Sequence, residues 1–341
     1  MNSPQRESCT VIVVPRDRFS TSFRCLEELI KTVQSSDRII VVFGGTPEEV
    51  RFKLQEKFGH RVEFVFRDIF LNAGEARNIG LKMCKTRLAV TMENDVYVRA
   101  GWLEALIRCQ VETGAALVDP LILEKPKVIH CAGNDLYITY ENGKAFAHKE
   151  LRYYRLVYGD KANLKRAEID YGELHCQLVE VETALRLNVF DEALVDMHEV
   201  DAGLKWGKAS CKRYFEPESV VEFHLVGSIS DPADIQLFCD RWSFRKIAES
   251  YRILEERWNM DMTEHGNAQN WLLNFNDKVG TLVRLMPNAF GLWLDGKLKQ
   301  ALYMSSKPAR FIKVRWNRAK ARRLGFYLWP QVTRRTWKEG V

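Results

Sequence analysis

The alternation of short apolar strands with amphipathic helices along the first 95 residues constrains the fold of this chain more than any other feature. Four β-branched apolar runs predict buried strands, at residues 9–14, 38–43, 62–66 and 87–92. Helical patterns follow the strands, the clearest of them at residues 20–33. Strands that alternate with helices predict a mostly parallel sheet with helices on both faces. Ligands of such sheets bind beyond the carboxyl ends of the strands, so the residues that follow these strands are the first candidates for a site.

Composition and apolar patterning exclude several classes of protein. Of the 341 residues, 46% are hydrophobic and 28% are charged, which is typical of a globular chain and not of a disordered or fibrous one. The opening segment MNSPQRESC lacks the apolar core of a secretory signal, and no stretch of about 18 apolar residues predicts a membrane-spanning helix. The eight cysteines are scattered without a Cys-x-x-Cys pair, which is typical of reduced thiols. These features predict a cytoplasmic protein, soluble or attached to the periphery of a membrane.

The C-terminal end is strongly basic. Residues 307–341 hold eleven Lys or Arg against one acid, whereas residues 1–306 hold 40 basic and 44 acidic side chains. Aromatic side chains are interleaved with these bases, so the tail predicts a peripheral contact with an anionic membrane surface. The alternative is a solvated helix that docks on the protein through its aromatic side chains. Nucleic acid is the less favoured partner.

An acidic turn, Glu93-Asn94-Asp95, follows the fourth predicted strand directly. A nucleotide diphosphate carries concentrated negative charge that carboxylates alone would repel, and a divalent cation resolves this conflict. Mg²⁺ or Mn²⁺ binds one or two carboxylates together with phosphate oxygens and stabilises the charge on a departing diphosphate. Asp95 would bind the ion, and Glu93 would reach the ribose or a metal-bound water. The alternative interpretation is an ordinary polar turn after a strand.

A second candidate segment is Asn72–Gly80, where a helix is predicted to begin after the third strand. Gly74 allows a close turn of the backbone, and the first turn of the helix presents its amides to an anion. Arg77 would make a bidentate contact to a phosphate, and Asn78 offers a donor and an acceptor to a sugar hydroxyl. The alternative is a capped helix whose arginine forms a salt bridge.

These segments, in this order, resemble the family 2 inverting glycosyltransferases of the GT-A fold. The family's opening strand, which ends in proline, corresponds to Val11–Pro15, and its glycine- and asparagine-bearing helix corresponds to Asn72–Gly80. The family's Asp-x-Asp turn falls on Glu93-Asn94-Asp95, and its downstream Trp-Leu pair lies within Gly101–Leu103. The resemblance covers roughly residues 9–228.

The resemblance implies a fold, an activity and partners. The fold would be α/β, with a GT-A (Rossmann-like) nucleotide-sugar-binding domain and a mixed, mostly parallel sheet at residues 8–228, followed by a helical, basic C-terminal extension at residues 229–341. The activity would be a metal-dependent inverting transfer of a sugar from a nucleotide-diphosphate-sugar donor, with a UDP-sugar favoured, to a hydroxyl acceptor. The implied cofactor is Mn²⁺ or Mg²⁺, and the implied setting is polysaccharide or glycolipid assembly.

Two later segments also match the family: Val189–Glu192 resembles its Phe-Asp-Glu turn, and His198–Lys205 resembles the segment that holds its base. In an inverting transfer, a carboxylate must take the proton of the attacking hydroxyl. The resemblance implies Glu199 for this role, with Asp201 orienting the acceptor or acting in its place. The alternative is an acid cluster at a helix start, which the helix dipole favours. Some relatives carry a metal-binding histidine after the next strand, here His224, whose alternative role is that of a hydrogen-bonded structural residue.

The site residues that the resemblance implies fall into three groups. Catalytic roles fall on Glu199 and Asp201, and metal binding falls on Asp95 and His224. The implied donor-binding residues are Pro15, Arg16, Asn72, Arg77, Asn78, Glu93, Asn94 and Asp95.

The chain departs from the family pattern in three places. Gly44-Gly45 stands where relatives carry an acid that binds the base of the nucleotide, which leaves the identity of that base open. Glu93 replaces the first acid of the Asp-x-Asp turn, and His198 replaces the first acid of the base segment. An inactive carbohydrate- or nucleotide-binding module of the same fold is therefore the main alternative. A nucleotidyltransferase is disfavoured because Pro15–Arg18 contains no glycine for a phosphate loop.

Overall fold

A computed structural model describes residues 6–125, 127–158, 164–224, 229–262, 286 and 288–304 of the protein. The strands are β1 (Thr10–Val14), β2 (Arg38–Gly44), β3 (Glu63–Arg67), β4 (Leu88–Glu93), β5 (Val96–Val98), β6 (Leu117–Lys125), β7 (Val128–Cys131), β8 (Asn134–Glu141), β9 (Lys144–Leu151), β10 (Ala167–Glu168), β11 (Cys176–Glu180) and β12 (Arg213–Phe223). The helices are α1 (Ser22–Thr32), α2 (Glu48–Phe58), α3 (Ala73–Lys82), α4 (Trp102–Thr113), α5 (Val181–Arg186), α6 (His198–Lys208), α7 (Pro232–Arg241), α8 (Phe244–Trp258) and α9 (Ala289–Met304).

The central sheet joins a parallel half to a mixed half. Strands β3, β2, β1 and β4 lie side by side in this order and all run parallel. The sheet continues through β11, β6, β12 and β10, with β11 antiparallel to its two neighbours and β12 parallel to β6. Strands β8 and β9 form a separate hairpin. The mixed, mostly parallel sheet predicted from the sequence is confirmed, and Val14 of β1 pairs with Glu93 of β4, so both strands end at the same edge.

Strand β1 is buried on both faces because an apolar layer packs against each of them. Val11 and Val13 lie in one cluster together with Trp102 of α4. Ile12 and Val14 lie in a second cluster together with side chains of α3 and α6. Each fully buried aliphatic side chain contributes about 1.5–3 kcal/mol relative to exposure, so the two layers fix the position of β1 and of the residues at its carboxyl end.

The helix starts follow the sequence signals, with one shift. Asn72 caps α3, because its Oδ1 accepts a hydrogen bond from the Glu75 amide at 3.0 Å, and the Glu75 carboxylate accepts one from the Asn72 amide at 2.7 Å. Helix α2 begins at Glu48 with Pro47 as its N-cap, one residue later than Thr46 and Pro47 predict. The reason is that Pro47 has a ψ of 143°, which is outside the helical range.

Helices α7 and α8 pack on the segment that leads into α6. Phe238 and Leu254 share an apolar cluster with Leu194 and Val200. Asp234 of α7 also accepts a hydrogen bond from the Phe19 amide at 2.7 Å, which joins α7 to the loop after β1. The two helices therefore brace the start of α6. The domain boundary at residue 228 stays a prediction.

The basic tail at residues 307–341 lies outside the described residues, so its membrane contact stays a prediction. Within the described part of the chain, no helix combines the length and the apolar character needed to cross a membrane. All eight cysteines lie in that part and carry free thiols.

Candidate functional site

The acidic turn lies at the edge of the sheet where β1 and β4 end. Glu93 is the last residue of β4 and is 5% exposed. Asp95 immediately precedes β5 and is 1% exposed. Asn94 fastens this turn to the loop after β1, because its Oδ1 accepts a hydrogen bond from the Arg16 amide at 3.0 Å and its Nδ2 donates to Ser22 Oγ at 2.8 Å. Asn94 therefore positions the turn, and buried Pro15 ends β1 beside it.

Two arginines face the two carboxylates. Arg16 places Nε 3.3 Å from Glu93 Oε2 and Nη1 3.5 Å from Asp95 Oδ2. Arg77 places Nη2 3.6 Å from Glu93 Oε1. The Arg16 guanidinium carbon lies 4.6 Å from the centre of the Phe223 ring, which is a cation–π contact. The site is thus a buried cluster of two acids and two guanidinium groups.

The surroundings of the two acids shift their pKa values in opposite directions. Burial penalises the charged form of Asp95, Arg16 opposes this only in part, and Glu93 adds repulsion, so the pKa of Asp95 lies well above its usual range. Burial alone would also raise the pKa of Glu93, but Arg16 and His175 outweigh it and lower that pKa. Neither oxygen of Asp95 has a hydrogen-bond partner among the described residues. A cation bound at Asp95 would favour its charged form.

His175 belongs to the site, although the sequence analysis did not name it. Its Nδ1 lies 2.6 Å from Glu93 Oε2, and its ring stacks on Phe223 with centroids 3.9 Å apart. Glu93, Asp95 and His175 form one group that could hold a metal ion, with ligand atoms within 4.8 Å of one another. The signal that was available is the pair Glu173 and His175 just before β11, which has the same i, i+2 spacing as the acidic turn.

His224 lies next to the acidic turn, but its ring points elsewhere. Its backbone amide donates to the Asp95 carbonyl at 3.1 Å. The imidazole packs against Tyr97, with ring centroids 4.3 Å apart, and its Nε2 is 3.9 Å from Glu222 Oε2. The metal-binding role of His224 stays a prediction that requires the side chain to turn.

Two of the three candidate residues around the start of α3 make structural hydrogen bonds, and the third has donor groups available for a ligand. Asn72 Nδ2 donates to the Glu192 carbonyl at 2.7 Å, and Asn78 Nδ2 donates to the Phe190 carbonyl at 2.9 Å. Both amides therefore hold the turn before α6. Arg77 is fully buried and donates through Nη2 to the Leu174 carbonyl at 2.7 Å. Its Nε and Nη1 have no hydrogen-bond partner in the part of the chain that the structure describes. Contact of Asn72, Asn78 and Arg77 with the sugar donor stays a prediction. Arg77 has N–H groups available for such a contact.

The two candidate bases have different surroundings. Glu199 forms an ion pair with Lys149. Burial would raise the pKa of Glu199, but Lys149 lowers it to about 2. Asp201 is 0% exposed and its Oδ1 accepts hydrogen bonds from Arg257 Nη1 at 2.8 Å and Trp258 Nε1 at 2.9 Å. Asp201 thus joins α6 to α8, and Glu199 is the better placed of the two to receive a proton.

Gly44 has a steric reason to stand where relatives carry an acid. A Cβ at this position would lie 2.5 Å from both the Ile69 carbonyl oxygen and the Leu71 amide nitrogen. The next residue, Gly45, has a φ of +65°, which side chains rarely adopt. The loop before α3 thus leaves no room for an acidic side chain at the end of β2.

The parallel order β3-β2-β1-β4, with the acidic turn at the end of β4, is that of an α/β protein with a GT-A fold. Residues 10–142 match the family described as "Glycosyl transferase family 2", which confirms the resemblance inferred from the sequence. A solved structure described as "Crystal structure of GalNAc-T7 with UDP, GalNAc and Mn2+" aligns with a TM-score of 0.52 at 14% identity. The alignment covers 80% of this chain and 57% of that chain, and at this identity it shows the GT-A fold alone. No curated protein matches the chain in sequence.

Proposed function

We propose that this protein is a metal-dependent inverting glycosyltransferase that moves a sugar from a nucleotide-diphosphate-sugar donor to a hydroxyl acceptor. The observation that carries the proposal is the buried Glu93–Asp95 pair with Arg16 and Arg77 at the carboxyl edge of the parallel half-sheet. The match of residues 10–142 to a glycosyltransferase family supports this activity. The UDP, GalNAc and Mn²⁺ named for the GalNAc-T7 structure favour a UDP-sugar donor and Mn²⁺ or Mg²⁺ here.

The residues present fit a divalent cation. Asp95 offers two carboxylate oxygens that have no hydrogen-bond partner within the described ranges, and Glu93 and His175 bring further ligand atoms within 4.8 Å. Such an ion would stabilise the negative charge that develops on the departing diphosphate. Arg16 and Arg77 would bind the same diphosphate, since guanidinium groups form paired hydrogen bonds to phosphate oxygens.

Glu199 would serve as the base. The acceptor oxygen bonds to the anomeric carbon while the bond from that carbon to the diphosphate breaks. The proton of the acceptor hydroxyl passes to the Glu199 carboxylate, and the electron pair of the broken bond leaves with the diphosphate. Lys149 keeps Glu199 ionised and oriented before the proton arrives.

The proposed acceptor and cellular setting rest on the charge of the C-terminal end. A hydroxyl acceptor in polysaccharide or glycolipid assembly, on the cytoplasmic side of a membrane, agrees with the basic tail at residues 307–341. The competing proposal is a binding module without turnover. It is favoured by the lack of an acid at Gly44-Gly45, and it predicts nucleotide binding without release of diphosphate.

The test is thermal unfolding of the protein against nucleoside diphosphates and nucleotide sugars, with Mn²⁺ and with chelator. Occupancy at about 100 Kd stabilises the folded state by roughly 2.7 kcal/mol. We expect a Mn²⁺-dependent shift with one nucleotide, lost in Asp95→Asn and kept in Asp68→Asn, whose side chain is 92% exposed on the surface. No shift with any nucleotide in the wild-type protein would overturn the proposal. A shift without sugar transfer would support the competing proposal of a binding module.

A further inference from the structure

Two histidines lie side by side beyond Glu93, one from β7 and one from the loop before β11. The ring centroids of His130 and His175 are 5.1 Å apart, and both rings pack on Phe223. Glu173 completes the group, with one ligand atom from each of the three residues within 4.8 Å of the others. The side chains of His130, His175 and Glu173 are 16%, 6% and 18% exposed, so the group is recessed but reachable.

The Nδ1 atom of His175 is within hydrogen-bond distance of a carboxylate outside the group, whereas that of His130 lies beyond hydrogen-bond distance of one. His175 Nδ1 lies 2.6 Å from Glu93 Oε2, and His130 Nδ1 lies 3.8 Å from Glu124 Oε2. The other nitrogen of His175, Nε2, lies 3.7 Å from Glu173 Oε1. Metal-binding histidines usually direct one nitrogen to a carboxylate or carbonyl and bind the metal through the other. His175 has this arrangement before any ion is considered, because Glu93 holds its Nδ1.

We propose that His130, Glu173 and His175 form a metal site of their own, with the two imidazoles and one carboxylate that Zn²⁺ favours. Two histidines and a glutamate leave a fourth position open to water or to a hydroxyl group of a ligand. Imidazole ligands favour zinc-like ions, whereas Mg²⁺ favours oxygen ligands. Glu93 orients the His175 ring through its Nδ1, and the His130 ring packs against His175 and Phe223.

The proposed site is distinct from the Glu93–Asp95 group in two of its three ligands, which are His130 and Glu173. His175 is shared, but its Nδ1 faces Glu93 and its Nε2 faces Glu173. The proposal does not rest on the transferase activity.

The test is calorimetric titration of the chelator-treated, tag-free full-length protein with ZnCl₂ in the absence of nucleotide. We expect one saturable site in the wild type and an affinity at least about tenfold lower in His130→Ala and in Glu173→Gln. Asp95→Asn and the control His148→Ala, an exposed histidine of β9, keep the wild-type affinity. Circular dichroism of each variant checks that it is folded.

Cobalt absorption distinguishes this site from the eight thiols. Co²⁺ bound by two histidines and a carboxylate shows ligand-field bands without a thiolate charge-transfer band. A strong thiolate band, or no saturable zinc binding, overturns the proposal. Zinc binding that is lost in Asp95→Asn but kept in His130→Ala also overturns it, because the ion then lies in the Glu93–Asp95 group. Mn²⁺-dependent nucleotide stabilisation, which we expect His130→Ala to retain, reports separately on the proposed function.

Discussion

Glu199 and Asp201 lie two residues apart on α6, yet their contacts give them different tasks. Burial would raise the pKa of Glu199, but Lys149 lowers it to about 2, so the carboxylate is ionised at neutral pH. Asp201 is wholly buried and accepts hydrogen bonds from Arg257 and Trp258. A general base must be within reach of the proton it removes, which favours Glu199.

Replacing Glu199 with glutamine tests this assignment, because an amide cannot take a proton near neutral pH. Loss of a general base costs about 10²–10⁴ in rate, so we expect kcat to fall at least about 100-fold. Nucleotide binding should be unchanged, because Glu199 lies outside the Glu93–Asp95 pair. The measurement is release of nucleoside diphosphate from the donor that the unfolding panel identifies.

The same measurement on Glu56→Gln, at an exposed position of α2, supplies the control and should match the wild type. Since the Glu199 carboxylate loses its proton above a pKa of about 2, its ionisation should not limit the wild-type rate between about pH 5 and 7. An unchanged kcat in Glu199→Gln would contradict its role as base.

At the scale of elements, Asp201 joins two helices. Its Oδ1 receives the Arg257 and Trp258 hydrogen bonds from the end of α8, and Lys205 Nζ lies 2.7 Å from its Oδ2. Asp201→Ala leaves Trp258 Nε1 without this acceptor, whereas Arg257 and Lys205 keep Asp191 as an ion-pair partner. Loss of a hydrogen bond to a charged group costs about 1.5–3 kcal/mol. We expect a loss of about 2 kcal/mol in the free energy of unfolding by urea, with faster amide exchange in α8.

Glu249→Ala is the matched control, because Glu249 lies on α8 with its side chain 57% exposed and pairs only with Arg252 among the ion pairs of the described residues. Its effect should stay within about 0.5 kcal/mol. Wild-type stability in Asp201→Ala together with lost turnover would reverse the assignment and make Asp201 the base.

The sequence predicted the elements that carry the site more completely than the contacts between them. Strand β4 and the turn to Asp95 follow from an apolar run and the acids next to it, which are local signals. His175 reaches Glu93 across 82 residues through the antiparallel pairing of β11 with β4, which no local pattern indicates. The exclusion of an acid at Gly44 likewise depends on the loop that contains Ile69, a contact between distant parts of the chain.

At the scale of the whole molecule, charge is distributed unevenly along the sequence. Residues 307–341 hold eleven bases and one acid, whereas residues 1–306 carry a slight acidic excess. An anionic membrane surface would therefore repel most of the chain weakly and attract its end. This partition predicts that membrane contact, where it occurs, depends on the tail.

We expect the full-length chain to co-sediment with vesicles that contain phosphatidylserine at low salt, and a chain that ends at residue 306 to stay in the supernatant. Each Lys or Arg near an anionic surface contributes about 1 kcal/mol, and salt screens this attraction within a Debye length of about 10 Å at 0.1 M. The bound fraction should therefore fall as salt rises, and neutral vesicles serve as the control. Equal sedimentation of both chains would contradict the role of the tail and assign membrane contact to residues 1–306, where α9 exposes Phe290 and Trp293.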